Sequence, residues 1–271
     1  MGAESGMMGT LEANTTYPQF FRTKEGNLLF MYRDGSSGSG NLVLNRYDVK
    51  AAKWSRVQSN LIDGEGARNA YWEAYIDANG VLHVGWVWRE TADVATNHDI
   101  CYARSKDGGV TWEKSNGERY TLPITASTAE NALIIAQKSE LINQTTIAAD
   151  DKSRPYIASY WVPAGESVPQ YQLVYLDGTG WRSQKIGNRT TDFSLSGTGT
   201  KKIPISRPQL MVKTQGDSAS AYMVFRDVER GSKVSLAQAS NHSNPKWTIS
   251  DLTNYSVDEW EPSFDTDLWN A

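Results

Sequence analysis

The sequence predicts an all-β fold, a β-propeller built from four-stranded antiparallel blades. Three observations predict it. Long amphipathic helical patterns are scarce, while short alternating runs rich in Val, Ile, Tyr and Trp are bounded by Gly, Asp, Asn and Ser turns. These runs recur as one four-strand unit. A tryptophan opens the expected fourth strand of each unit, at Trp54, Trp112, Trp181 and Trp247, so the copies are 58, 69 and 66 residues apart.

Taken in order, residues 1–16 read as an N-terminal tail and 17–271 as a single propeller domain. First strands follow a Pro or an aromatic: "YPQFFR", "YWEAYI" and "RPQLMV". Second strands end in an aromatic, often followed by Arg: "NLLFMYR", "VLHVGWVWR", "RPYIASYW" and "ASAYMVFR". Third strands are "LVLNRYD", "DICYARS", "YQLVYLDG" and "VSLAQAS". The expected blades cover 17–60, 70–122, 143–190 and 207–252, and a fifth starts at "WEPSFDTDLWN". The stretch "YTLPITASTAENALIIAQKSEL" fits neither neighbour and reads as an insertion carrying a short helix or an extra strand pair. A propeller closes to hide its first and last edges. Four blades and a fifth start therefore point to a piece of a larger ring of about seven blades, with a complete four-bladed ring as the other reading.

Ser105 to Trp112, "SKDGGVTW", fits the Asp-box pattern S-x-D-x-G-x-T-W. The aspartate accepts local backbone N–H bonds and glycine supplies a positive φ, so the motif closes a hairpin between third and fourth strands. It speaks for the fold and places Asp107 on the structural face. "YDVKAAKW", "LDGTGW" and "NHSNPKW" are degraded copies.

Bulk composition narrows the function. The net charge of -4 and the lack of a basic stripe argue against nucleic acid. The one cysteine, Cys101, excludes an internal disulfide and a Cys-rich zinc site, and its apolar strand suits a buried small hydrophobe. No apolar run reaches membrane-span length. The opening residues lack the hydrophobic middle of a signal peptide. Ten Trp and thirteen Tyr fill cores or offer platforms for sugar rings.

In such a blade the loop between strands two and three shares a face with the loop into the next blade. Polar residues expected on that face are His98, Arg89, Tyr160, Trp161, Tyr171, Arg189, Arg207 and Glu261, with Tyr17 and Tyr71 at the repeat positions of Arg207. His98, at a loop-to-strand junction, suits acid or base work near neutral pH. His83 lies mid-strand, where packing and function are both open, and about 20 Å of strand separates it from the rim. His242 falls in a degraded turn and reads as solvent-facing. Arg33, Arg89 and Arg226 share a repeat position, which suggests structural pairing. Arg189 and Arg207 break the repeat and read as functional, since guanidinium recognises carboxylate with two parallel bonds.

Together the segments "YPQFFRTKEGNLLFMYRDGSSGSGN", "HVGWVWRETADVATNHDICYARSKDGGVTW", "LINQTTIAADD", "PQYQLVYLDGTGW", "NRTTDFSLSGTGTKKIPISRPQ" and "WEPSFD" resemble the BNR-repeat propellers that include the ulvan lyases. The likeness runs from about Tyr17 to Asp265. It implies a polysaccharide lyase that cleaves before a 4-linked uronic acid by β-elimination, often at a rhamnose–glucuronate linkage. The implied roles are Arg189 on the uronate carboxylate, His98 and His83 as the histidines, and Tyr171 as the tyrosine. Tyr160 and Arg207 are the fallbacks, and Trp161, Arg89 and Tyr71 join the substrate contacts. The resemblance implies no redox cofactor; some relatives carry a structural metal, and no ligand cluster for one stands out. It implies an anionic polysaccharide partner, a monomer and a secreted or periplasmic location. The family's catalytic domains are longer than this chain. Two other readings stay open: an Asp-box hydrolase of the sialidase kind, for which only "KKIP" approaches the usual R-I-P signature, and a non-catalytic glycan-binding or scaffold propeller.

Overall fold

The computed structural model describes residues 7–178, 180–198, 203–240 and 246–270. Its strands form four antiparallel sheets, each ordered as in the sequence. The first blade holds β1 (Thr15–Arg22), β2 (Leu28–Ser36), β3 (Ser39–Asp48) and β4 (Lys53–Ile62). The second holds β5 (Asn69–Ile76), β6 (Leu82–Arg89), β7 (Asn97–Ser105) and β8 (Glu130–Leu133). The third holds β9 (Thr146–Ala149), β10 (Pro155–Trp161), β11 (Gln170–Leu176) and β12 (Trp181–Ile186). The fourth holds β13 (Gln209–Gln215), β14 (Ser218–Asp227), β15 (Lys233–Ala239) and β16 (Thr248–Asp251).

Alternation along these strands puts one face of each sheet against its neighbour, so the core lies in layers between blades. Leu29, Met31 and Leu44 of the first blade pack with Trp72, Trp86 and Val84 of the second. Tyr71, Val87 and Ile100 meet Ile147, Ile157 and Val174 of the third. Tyr156, Tyr160 and Leu173 meet Leu210, Met223 and Phe225 of the fourth. The first strands β1, β5, β9 and β13 touch in succession and so line a common axis.

The Asp box closes as its sequence expects. Val110 N and Thr111 N donate to Asp107 Oδ1 at 3.1 and 2.9 Å, and Ser105 Oγ donates to the same oxygen at 2.8 Å. Trp112 Nε1 donates to Gly109 O at 2.9 Å, and its ring is buried between blades one and two. Gly109 has φ 91, and a Cβ there would meet Leu44 Cδ2 at 2.2 Å, so only glycine lets the turn seat against the first blade.

Three expectations change. Trp54 and Trp181 lie at the start of their fourth strands and Trp247 just before its own, but Trp112 opens no strand. After it, Glu113 bridges back to Arg104, and Ile124 bridges to Ile62 of the first blade. The chain then returns to supply β8, whose Leu133 pairs with Ile100 and Glu130 with Tyr102. The apparent insertion thus carries the outer strand of the second blade, which ends at Leu133 rather than near residue 122. At the far end, residues 260–265 form no strand and α1 (Thr266–Asn270) follows, with Trp269 packed 5.8 Å from Tyr222. Near the start of the chain Met7 packs against the cluster of Phe30, Tyr32 and Val43, and Arg56 Nη2 donates to Thr10 O at 2.6 Å. Among the described residues no helix is long and apolar enough to cross a membrane. His242 and the "NHSN" turn lie outside the described residues.

Candidate active site

A cleft of about 590 Å³ opens at the axis, on the face that carries the β2–β3 and β6–β7 loops. Each blade contributes to it. Tyr17 comes from β1, Tyr71 from β5, Arg89 from the end of β6, Asn143 from the approach to β9, Arg207 from the approach to β13 and Arg226 from β14. Glu259 and Glu261 complete one wall. The first-strand repeat position therefore delivers Tyr17, Tyr71 and Arg207 to one place, and the end of the second strand delivers Arg89 and Arg226.

A bulge shapes the first of these. The β1–β2 register shifts between Thr16 and Gln19, and Tyr17 takes φ 53. An extra residue in a strand re-aims its side chain, and the Tyr17 ring meets that of Tyr71 edge-on at 5.6 Å. Tyr71 has the most worked environment in the cleft. Its hydroxyl lies 2.9 Å from Ser37 Oγ and accepts from Arg89 Nη1 at 3.3 Å. The guanidinium carbons of Arg33 and Arg89 lie 5.4 and 5.2 Å from its ring centre. Burial pushes its pKa up, but the Ser37 bond and the Arg89 and Arg33 charges outweigh that and leave it below the ordinary tyrosine value. Tyr17 goes the other way: burial and the neighbouring Tyr71 hold it above that value.

The cleft arginines differ in how fully they are engaged. Arg226 gives its guanidinium to the carbonyls of Trp260, Pro204 and Ile203 at 3.1, 3.1 and 3.0 Å. Arg89 donates to Thr91 O at 3.0 Å and to Ala92 O as well as to Tyr71. Among the described residues the Arg207 side chain makes one hydrogen bond, Nε to Asn143 O at 3.0 Å, with Glu261 no nearer than 3.8 Å. Its side chain is 30% exposed, so it is the cleft cation best placed to take a second anion.

Tyr17, Tyr71, Arg89, Arg207 and Glu261, all expected on this face, line the cleft. His98, His83, Tyr171, Tyr160, Trp161 and Arg189 do not. His98 begins β7 at the rim but does not line the cleft. Its Nδ1 meets Asp99 Oδ2 at 2.9 Å and its Nε2 meets Glu90 Oε1 at 2.8 Å, an oxygen that also accepts from Arg68 at 2.7 Å. These two carboxylates raise its pKa. Asp99 takes φ 53 in a bulge opposite Trp88. His83 is fully buried at the opposite end of β6, between Asp77 Oδ2 at 3.0 Å and Tyr102 OH at 2.7 Å, and burial lowers its pKa. The two histidines are not brought together, because the strand between them runs from one face to the other.

Tyr171 and Tyr160 face the layer between blades three and four rather than the axis. The Tyr171 hydroxyl donates toward Ser206 O at 2.8 Å, and burial holds its pKa well above the ordinary value. Tyr160 is buried edge-on between Tyr171 and Phe193, both 5.9 Å away. Trp161 is buried in the layer between blades two and three. Arg189 is 7% exposed and locked, with Nε 2.6 Å from Asp227 Oδ2 and Nη1 donating to Thr191 O at 2.9 Å. Sequence reasoning missed Ser37, Asn143 and Glu73, and assigned Arg226 to pairing alone. The signal for Arg226 was present, since it shares the repeat position of Arg89. Among the described residues no group of three or more His, Cys, Asp or Glu side chains is arranged to hold a metal ion.

The comparisons with known proteins agree with this architecture. An ulvan lyase long isoform from Alteromonas sp is 31% identical across a match that covers 56% of this chain and 19% of that relative. The crystal structure of the polysaccharide lyase Uly1 superposes with a TM-score of 0.60 at 20% identity, covering 89% of this chain and 51% of that one. An ulvan lyase structure bound to -[GlcA(1-4)Rha3S]- superposes with a TM-score of 0.60 at 15% identity, over 84% of this chain and 53% of that one. At these identities the solved structures speak for the fold. The chain spans about a fifth of the curated relative and about half of the solved ones. The model of the BNR repeat-containing family matches residues 1–189, and the chain belongs to that family.

Proposed function

We propose that this chain forms the substrate cleft of a secreted polysaccharide lyase that cleaves a uronic-acid-containing, ulvan-like polysaccharide by β-elimination. The likeness to ulvan lyases supports the reaction class. The observation that carries the reading is the cleft geometry: the Tyr71 hydroxyl is held by Ser37 Oγ and Arg89 Nη1, in a cleft it shares with an Arg207 whose side chain makes, among the described residues, one hydrogen bond.

Arg207 takes the carboxylate at C5 of the uronate. Fixed positive charge there stabilises the enolate-like charge that develops when the C5 proton leaves. Tyr71, as phenolate, accepts that proton. The electron pair forms the C4–C5 double bond, the C4–O4 bond breaks, and Tyr17, kept protonated by its raised pKa, gives its proton to the departing O4. Atoms and charge balance with no redox partner. The substrate is an anionic polymer, and three arginines against two glutamates in the cleft favour it.

Incubation with ulvan oligosaccharides tests this. The expected result is new ultraviolet absorbance from an unsaturated uronate, with a matching product mass. New reducing ends without that chromophore would make the protein a hydrolase. Binding without any product would make it a glycan-binding propeller. Either result overturns the lyase reading.

A further inference from the structure

One pleat along β5 from Tyr71, the inner strands enclose a second cavity of about 300 Å³. Glu73, Gln144, Thr145, Arg207, Gln209 and Glu261 are among its walls. Residues two apart on a strand share a face, so Glu73 points to the axis as Tyr71 does. Arg207 and Glu261 line both cavities, which makes the Arg207 side chain the partition between them.

Glu73 is an unusual residue for this position. Its Oε2 accepts from Gln19 Nε2 at 3.1 Å and its Oε1 accepts from Gln144 Nε2 at 3.3 Å. These are neutral donors, and among the described residues no cation lies within ion-pair distance of it. Thr145 Oγ1, buried in the same wall, has no hydrogen-bond partner among the described residues. Among the described residues, the charged groups that face Glu73 are Arg207 and, beyond it, Glu261; the β1, β9 and β13 segments present Gln19, Gln144, Thr145, Thr146 and Gln209. Removal from water raises the Glu73 pKa to about 7, with the Gln19 bond and the Arg207 charge pulling back against it. The carboxyl therefore changes charge near neutrality, beside the one cleft arginine that is loosely held.

We propose that Glu73 is a positioning residue for Arg207: as a carboxylate it draws the guanidinium toward the axial cavity, and as a neutral acid it leaves Arg207 to the substrate's carboxylate. The competition with substrate rests on the proposed lyase reading, whereas the coupling of Glu73 to Arg207 does not. The consequence is a cleft that binds an anionic sugar better on the acid side of neutrality. Apparent affinity scales with the fraction of protein whose binding group is free.

Two measurements test it, one with no substrate. Carbon-detected NMR titration of Glu-labelled protein, with Glu73 assigned through Glu73→Gln, is expected to show a midpoint near 7. In Arg207→Met that midpoint is expected to rise by about half a unit or more as the neighbouring charge is lost. A midpoint in the usual carboxylate range, or one indifferent to Arg207→Met, overturns the proposal. In the second measurement, the KM of the wild type for a glucuronate oligosaccharide is expected to rise about three- to tenfold from about pH 6 to about pH 8, with kcat following far less. Glu73→Gln is expected to flatten that rise and Glu73→Asp to restore part of it. A wild-type pH dependence of KM that survives in Glu73→Gln overturns the proposal while the lyase reading stands. No product from the wild type at any pH sinks the lyase reading, and the titration alone then decides the coupling.

Discussion

Two tyrosine–arginine pairs of this chain have the same spacing and opposite fates. Tyr71 and Arg89 are 18 residues apart, and so are Tyr171 and Arg189. Tyr71 stands on the first strand of its blade and Arg89 at the end of the second, so both reach the axial cleft, where the tyrosine pKa is lowered. Tyr171 stands on the third strand of its blade and Arg189 beyond the fourth. Their side chains fill the layer between blades, where the tyrosine pKa is raised and the arginine is closed on Asp227. With residue type and spacing equal in these two pairs, it is the place of the strand in its blade that separates the pair lining the cleft from the pair in the layer.

The difference can be broken most forcefully at the two arginines. Arg189→Ala leaves Asp227 buried without its partner, and a broken buried pair costs about 3–5 kcal/mol; urea unfolding near neutral pH checks it. Arg207→Met, at a loosely paired and partly exposed site, is expected to change stability by less than about 1 kcal/mol. Its effect falls on turnover, with kcat/KM on ulvan oligosaccharide down about 10²- to 10³-fold, the usual loss for a group that stabilises developing negative charge. Equal destabilisation by both variants would erase the distinction.

Smaller effects sharpen it. The folded pKa of Glu73, about 7, lies above the ordinary 4.5. A raised carboxyl pKa contributes fully below the unfolded value and loses that contribution as pH rises through the folded one. The stability of the wild type relative to Glu73→Gln is therefore expected to fall by about 1–2 kcal/mol between about pH 4.5 and pH 8, discounted for the side chain's remaining solvent contact. Paired unfolding curves across that range check the sign. The smallest effect is expected at the Asp box. Asp107→Ala removes an acceptor for Val110 N and Thr111 N and for the Thr111 and Ser105 hydroxyls, on an exposed turn. A loss of about 1 kcal/mol with no change in KM is expected, because the turn is on the face away from the cleft.

The repeat was legible because turn glycines, alternation and the tryptophans each answer to backbone geometry. Trp112 misled for a physical reason. It fills the same layer as its counterparts, but the chain detours past Glu113 and Ile124 before pairing, and the four residues of β8 carry too little pattern to announce a strand. In "WEPSFDTDLWN" the place of Glu261 at the cleft was legible, whereas the helix at residues 266–270 was not. In the site, the face was legible and the layer was not. Alternation tells which side chains share a face of a strand, but whether that face meets the axis or another blade depends on packing. Arg189 broke the repeat because it braces the irregular segment after β12, whereas Arg89 and Arg226 kept to the repeat and still line the cleft. Glu73 was invisible because only its neighbours make it unusual.

The side-by-side rates of Tyr71→Phe and Tyr171→Phe against the wild type, read as unsaturated uronate formed from ulvan oligosaccharide, test the central claim most directly. Each variant removes one hydroxyl. The account predicts a loss of about 100-fold or more in kcat for Tyr71→Phe, and a rate within about threefold of wild type for folded Tyr171→Phe, whose hydroxyl is shared between the carbonyls of Ser206 and Arg226 and costs about 1–2 kcal/mol in stability when removed. The reverse order, or equal losses in two folded variants, would contradict it.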